Sequence, residues 1–138
     1  MQTPSDINEI SIYQDEIAPA EIIAYETTKI QVAFPKINTA FTAILSERLV
    51  ANGFTTQRLI DAVSYLIDNF KYQTPSIADI INFDRKVKLY SYNEVVEFVT
   101  SDKGTFDDFY KHWIGETLYW VKKSDAENNN LVKYLNKK

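Results

Sequence analysis

The stretch TAFTAILSERLVANGFTTQRLIDAVSYLIDNF, Thr39–Phe70, decides the fold. Phe41, Ile44, Leu45 and Leu49 recur at three- and four-residue spacing, the period of one helix face. Leu59, Ile60, Val63, Leu66, Ile67 and Phe70 repeat the pattern in a second run. Asn38 or Thr39 precedes the first run and Thr55 the second, and such side chains accept hydrogen bonds from the free N–H groups of a helix start. Between the runs stands Asn52–Gly53–Phe54. Glycine takes the left-handed conformation that commonly stops a helix. A link this short turns the second helix back on the first, so the stretch predicts an antiparallel helical hairpin as the core.

On the N-terminal side, Pro35 forces a break after Phe34 and closes a helix over residues 19–34. Pro19 suits its first turn and Glu21 its positive end. Ile22, Ile23, Tyr25, Ile30 and Phe34 form its apolar stripe. Residues 1–18 mix Ser, Asp, Asn and Glu with Ile7, Ile10 and Ile17 and show no helical period. They are expected to form a flexible arm with at most a short helix, ahead of a single globular domain over residues 19–138.

On the C-terminal side, Ser76 caps a short helix over residues 77–82, with Asp79 in its first turn. Phe83, Arg85, Val87 and Leu89 alternate with Asp84, Lys86, Lys88 and Tyr90, which reads as an extended link or a short strand. Ser91 or Asn93 starts a further helix that ends near Ser101. Residues 106–113 and 118–121 read as the strands of a hairpin around Ile114–Gly115–Glu116–Thr117. Tyr110, Trp113, Tyr119 and Trp120 are the aromatic residues that antiparallel pairs favour; they fit a dimer face as well as a cover for the helices. Ser124 or Asp125 caps a last short helix. The fold class expected is α+β and mostly helical, a helical hairpin core with additional short helices and a C-terminal β-hairpin.

The chemistry available is narrow. The chain has no cysteine, which excludes disulfides, thiolate metal sites and a cysteine nucleophile. Its single histidine, His112, lies in a strand between Lys111 and Trp113, with no nucleophile elbow elsewhere. Asp107–Asp108 is an adjacent acidic pair of the kind that binds a metal, but neighbouring strand residues face opposite ways. Three glycines, Gly53, Gly104 and Gly115, leave no phosphate-cradling loop. A non-enzymatic protein without cofactor or metal is expected. No apolar run reaches the roughly 18–20 residues that span a bilayer. Residues 1–10 lack the basic and apolar regions of a secretory signal. No membrane partner and a cytoplasmic location are therefore the expectation.

Charge is unevenly placed. Residues 1–70 hold nine acids and four bases, and residues 71–138 ten acids and eleven bases. The net charge of −4 argues against general coating of nucleic acid, yet the second half can carry a local basic patch. Arg85, Lys86 and Lys88 stand beside Tyr90 and Tyr92, the residue types that grip phosphates and stack on bases of single strands. Lys122 and Lys123 can join them from the hairpin. The competing reading is the wet face of an edge strand, where lysines discourage aggregation. Helices followed by a lysine-rich hairpin also suggest a winged helix-turn-helix, but the third helix offers only Arg58 as a base.

Tyr72–Gln73–Thr74–Pro75–Ser76–Ile77–Ala78–Asp79–Ile80 resembles a segment of phage replication accessory proteins: an aromatic residue, then Pro, Ser or Thr, an apolar residue, Ala, an acid and an apolar residue, opening a short helix after a helical hairpin. The nearest group is the phage replicative helicase loader and inhibitor family. A wider stretch is similar to uncharacterised proteins of phages and mobile elements, from Phe34–Pro35 through Phe41, Asn52–Gly53–Phe54, Arg58–Leu59 and Ala62–Val63 to Tyr92. The resemblance covers about residues 34–92. It implies a replication accessory protein that works through protein contacts with a replicative helicase, with Tyr72, Pro75, Ile77 and Asp79 as candidate partner-binding residues. Two alternatives stand beside it. One is a small DNA-binding module using the basic and aromatic patch. The other is an inhibitor of a host factor whose acidic front (Asp6, Glu9, Asp15, Glu16, Glu21, Glu26) meets a basic partner.

Overall fold

The computed structural model describes residues 8–71 and 73–137. The fold is α+β and mostly helical, with two two-stranded antiparallel sheets among the described residues. The chain divides into two compact units. One is Asp15–Asp84; the other joins Met1–Gln14 to Arg85–Lys138.

The Asp15–Asp84 unit is helical. Helix α1 spans Ala20–Ala33, α2 Thr39–Ala51, α3 Thr56–Asn69 and α4 Ile77–Ile81. The caps are those the sequence indicates. Asn38 Oδ1 accepts from Phe41 N at 2.9 Å, Thr55 Oγ1 from Arg58 N at 3.2 Å, and Ser76 Oγ from Asp79 N at 3.1 Å. Gly53 has φ +64°, the left-handed stop between α2 and α3. Helix α1 packs against both α3 and α2. Ile23, Ile30, Leu45, Leu49, Phe54, Leu59, Leu66 and Ile80 make the buried cluster. Before α1 the chain is tied to the start of α3: Ala18 N donates to Phe54 O, Thr56 N to Glu16 O, and Gln57 N to Asp15 Oδ2 at 2.9 Å.

Arg58 has a structural task here. Its Nε donates to Phe83 O at 2.7 Å and its second guanidinium nitrogen to Ile81 O at 3.0 Å. The guanidinium also lies 3.9 Å from the centre of the Phe54 ring. The one base of the third helix therefore binds the chain that leaves α4, which removes it from any role in reading DNA.

The other unit is a small α/β assembly. Strand β1, Glu9–Ser11, pairs with β2, Lys86–Lys88, in the register Glu9↔Lys88, Ile10↔Val87, Ser11↔Lys86. The described part of the expected arm thus contains a strand rather than a short helix. Ile10 supplies the reason, since it joins Val87 against the apolar cluster. Strands β3, Phe109–Ile114, and β4, Thr117–Lys122, form the expected C-terminal hairpin. Its turn is tighter than the four residues expected, because Ile114 and Thr117 already pair; Gly115, at φ +59°, takes the first turn position. Tyr90 and Trp120 exchange backbone bonds of 2.7 and 2.9 Å, which joins β2 to β4. The first strand starts later than predicted because residues 106–108 form a single 3-10 turn, with Asp108 Oδ2 accepting from Thr105 N at 2.8 Å. Gly104 is required before it: a Cβ there runs into Asp108 Oδ2 and the Phe98 ring.

Each face of these strands is covered. Helix α5, Tyr92–Thr100, sets Val95, Phe98 and Val99 on Tyr90, Phe109, Leu118 and Trp120. On the other face, helix α6, Lys123–Asn128, and the C-terminal segment set Ala126, Leu131 and Leu135 on Leu89, Tyr119 and Val121.

Candidate functional site

Strand alternation places Lys86, Lys88 and Tyr90 on one face, with Val87 and Leu89 on the other. Lys86 and Lys88 are exposed and Tyr90 is half-buried. Lys88 Nζ lies 4.6 Å from the centre of the Tyr90 ring and 2.9 Å from Glu94 Oε2. Glu94 is held by the start of α5, where Ser91 N donates to its Oε1 at 3.1 Å. The hydrogen bond from Lys88, and then that from Ser91, hold the Glu94 carboxyl below its usual range; the same contact with Glu94 raises the Lys88 ammonium.

Lys122 comes in from β4. Its Nζ lies 5.7 Å from the Tyr90 ring and 5.2 Å from the Phe98 ring. It has no ion pair among the described residues. Lys88, Tyr90 and Lys122, with Phe98 and Lys103, line a groove of about 320 Å³ that also takes in Glu94 and Glu97.

The other members of the expected patch are not in this groove. Lys123 opens α6, and its Nζ sits 5.2 Å from the Tyr110 ring on the opposite face. Tyr92 is 58% exposed and stacks near Phe106 and Trp120, at centroid distances of 6.2 and 5.9 Å. Arg85 is exposed at the start of the extended segment, where its carbonyl accepts from Ile12 N at 2.9 Å.

Of the candidate partner-binding residues, Tyr72 lies outside the described residues. Pro75 is buried, and Ile77 packs on the helical core. Asp79 is exposed, but its Oδ2 accepts from Ser76 N at 2.8 Å in a capping box. Ile77 and Asp79 thus start a helix and seat it.

His112 is buried, and its Nδ1 accepts from Asn136 N at 2.9 Å. Burial pushes its pKa below the ordinary 6.5. The unfolded chain therefore binds a proton near pH 6.5 that the folded chain refuses, so stability falls as pH drops below that value. Urea midpoints of the native protein should fall between pH 7.5 and 5.5, and His112→Asn should flatten that part of the curve. Equal slopes for both proteins would exclude His112 as the source. Among the described residues no group of His, Asp or Glu is arranged to hold a metal ion, and no helix is long and apolar enough to cross a membrane.

A second feature lies on the helical unit. Tyr25, Thr28, Lys29, Val32 and Ala33 of α1, with Ile67 of α3, line an apolar groove of about 380 Å³. Tyr25 is 63%, Val32 78% and Ile67 42% exposed. Tyr25 and Ile67 belong to the apolar stripes of their helices, and Ile67 to the pair expected to be core, so the stripes overstate what the unit buries. Lys29 Nζ is bound to Glu26 Oε2 at 2.8 Å and rests 4.6 Å from the Tyr25 ring. The groove therefore carries no uncompensated charge. The signal in the sequence is a second stripe on α1, Tyr25–Thr28–Val32, at the three- and four-residue spacing of a helix seam. Comparisons of the chain with protein-family models, with curated proteins and with solved structures return no match in any of the three.

Proposed function

We propose that this chain is a non-enzymatic replication accessory protein of a phage or mobile element, and that it works by holding a replicative helicase through its helical unit. The observation that carries the reading is the exposed apolar groove of α1 and α3. Exposed apolar side chains gathered in one groove, rather than scattered singly, are the form that partner sites take. Its anchors, Tyr25, Thr28 and Val32, have the spacing with which an amphipathic helix docks. Acids flank it: Glu21 lies one turn before Tyr25, Asp68 follows Ile67, and both are exposed. The occupant that fits is an amphipathic helix of the helicase with basic residues beside its apolar face.

The test is light scattering after size exclusion, on the protein alone and mixed with the helicase encoded by the same element. A stoichiometric complex is expected. Val32→Asp should weaken it by at least about tenfold, the scale of a central interface residue. Val32 is too exposed for the substitution to unfold α1. A helicase complex insensitive to Val32→Asp, or no complex, contradicts the reading. So does a dimer of the chain alone that Val32→Asp dissolves, since the occupant is then a second copy.

A further inference from the structure

We infer that the groove between β2, β4 and α5 seats one nucleotide of a single-stranded nucleic acid, with its base on Phe98 beside Tyr90 and its phosphate at Lys122 and Lys103. This site lies in the other unit from the apolar groove and does not depend on the helicase reading.

The size fits. About 320 Å³ is at the lower end of small-ligand pockets, which run from roughly 300 to 1,000 Å³. The chemistry also fits. Lys88 is fixed by Glu94, but Lys122 has only ring faces beneath it. An ammonium held only by ring faces at a solvent-accessible site is bound weakly. Lys122 can swing to a phosphate and uncover the Phe98 ring for a base, while Lys88 stays beside the Tyr90 ring. Stacking of this kind tolerates any base, because each has a π-face. A further station lies beside it: Tyr92 and Phe106 are both exposed, 6.2 Å apart, next to Trp120, and Lys111 pairs with Trp120 in the register.

Glu94 and Glu97 limit what can bind. They repel the dense charge of a duplex, whose base faces are in any case already stacked. A single strand crossing the groove meets few free cations. One neutralised phosphate corresponds to a salt slope of about −0.7 on logarithmic axes, shallow for a nucleic-acid protein.

The experiment is fluorescence anisotropy of the full chain with labelled oligothymidylate, oligouridylate and a duplex of mixed sequence. Binding of at least one single strand, tighter than that of the duplex, is expected. Lys122→Gln and Lys103→Gln should each weaken it by about three- to tenfold. Lys123→Gln, on the opposite face, should change nothing, and Glu97→Gln should tighten binding. Lys103 is exposed after the end of α5, so its replacement leaves the fold intact and serves if Lys122→Gln disturbs β4. No single-strand binding at low salt, preference for the duplex, or equal losses from Lys122→Gln and Lys123→Gln would each overturn the assignment.

Discussion

Replacing Arg58 with Ala should cost about 2–4 kcal/mol of folding stability, far more than an ordinary partly exposed arginine. Its guanidinium makes two hydrogen bonds, to Phe83 O and Ile81 O, and covers the Phe54 ring. Hydrogen bonds from a charged group contribute about 1.5–3 kcal/mol each when well enclosed. Arg58 is only half-buried, which lowers that figure. The truncation also leaves two carbonyls at the end of α4 without their donors. Arg58→Lys should recover only a part, because an ammonium cannot reach both carbonyls in the planar fork geometry. Urea denaturation followed by far-ultraviolet circular dichroism measures both variants. A loss below about 0.5 kcal/mol, the scale of a surface substitution, would contradict this role.

In the other unit the largest effect is expected at Leu131. Its side chain is fully buried among Leu89, Tyr119, Val121, Ala126 and Leu135. The chain reaches that position by a left-handed residue, Asn130 at φ +57°, after which Leu131 N donates to Ala126 O at 2.8 Å. Asn is among the few residues that take this conformation readily. The turn directs Leu131 back onto the strands, and the chain beyond it continues to Asn136, whose carbonyl accepts from Trp113 N at 2.8 Å. Leu131→Ala should cost about 2–5 kcal/mol, the usual range for a leucine truncated in a close-packed core. Lys137→Ala, on the exposed tail, should stay within about 0.5 kcal/mol. Equal small effects would show that the C-terminal segment does not close this core.

Four helix starts were legible because each depends on a local bond; the start of α6 was not, since it opens at Lys123 with no side-chain cap where Ser124 or Asp125 was expected. Asn38, Thr55, Ser76 and Ser91 accept from N–H groups three residues on, so sequence spacing alone predicts them. The Gly53 stop is equally local. The pairing of β1 with β2 is not: three residues near the N-terminus meet three that follow α4, and neither run is long enough to show a period. Nor does the division into two units leave a mark, since Asp84 passes to Arg85 with no Pro- or Gly-rich linker.

The candidate sites were half legible. Lys88, Tyr90 and Lys122 could be grouped from residue type, but Lys122 and Lys123 are neighbours that part company where β4 turns into α6. Apolar periodicity marked Tyr25 and Ile67, yet it cannot say whether a stripe is covered by its own chain or by another. The structural task of Arg58 is not legible, because its partners, the carbonyls of Ile81 and Phe83, are backbone groups that no side-chain pattern announces.

Two chemically different surfaces sit on different units, one apolar and one basic and aromatic. The most direct test measures helicase binding and oligothymidylate binding for Val32→Asp and Lys122→Gln side by side. Val32→Asp is expected to weaken helicase binding and leave oligonucleotide binding unchanged, while Lys122→Gln does the reverse. Loss of both activities in either folded variant, or of neither in both, would contradict this separation.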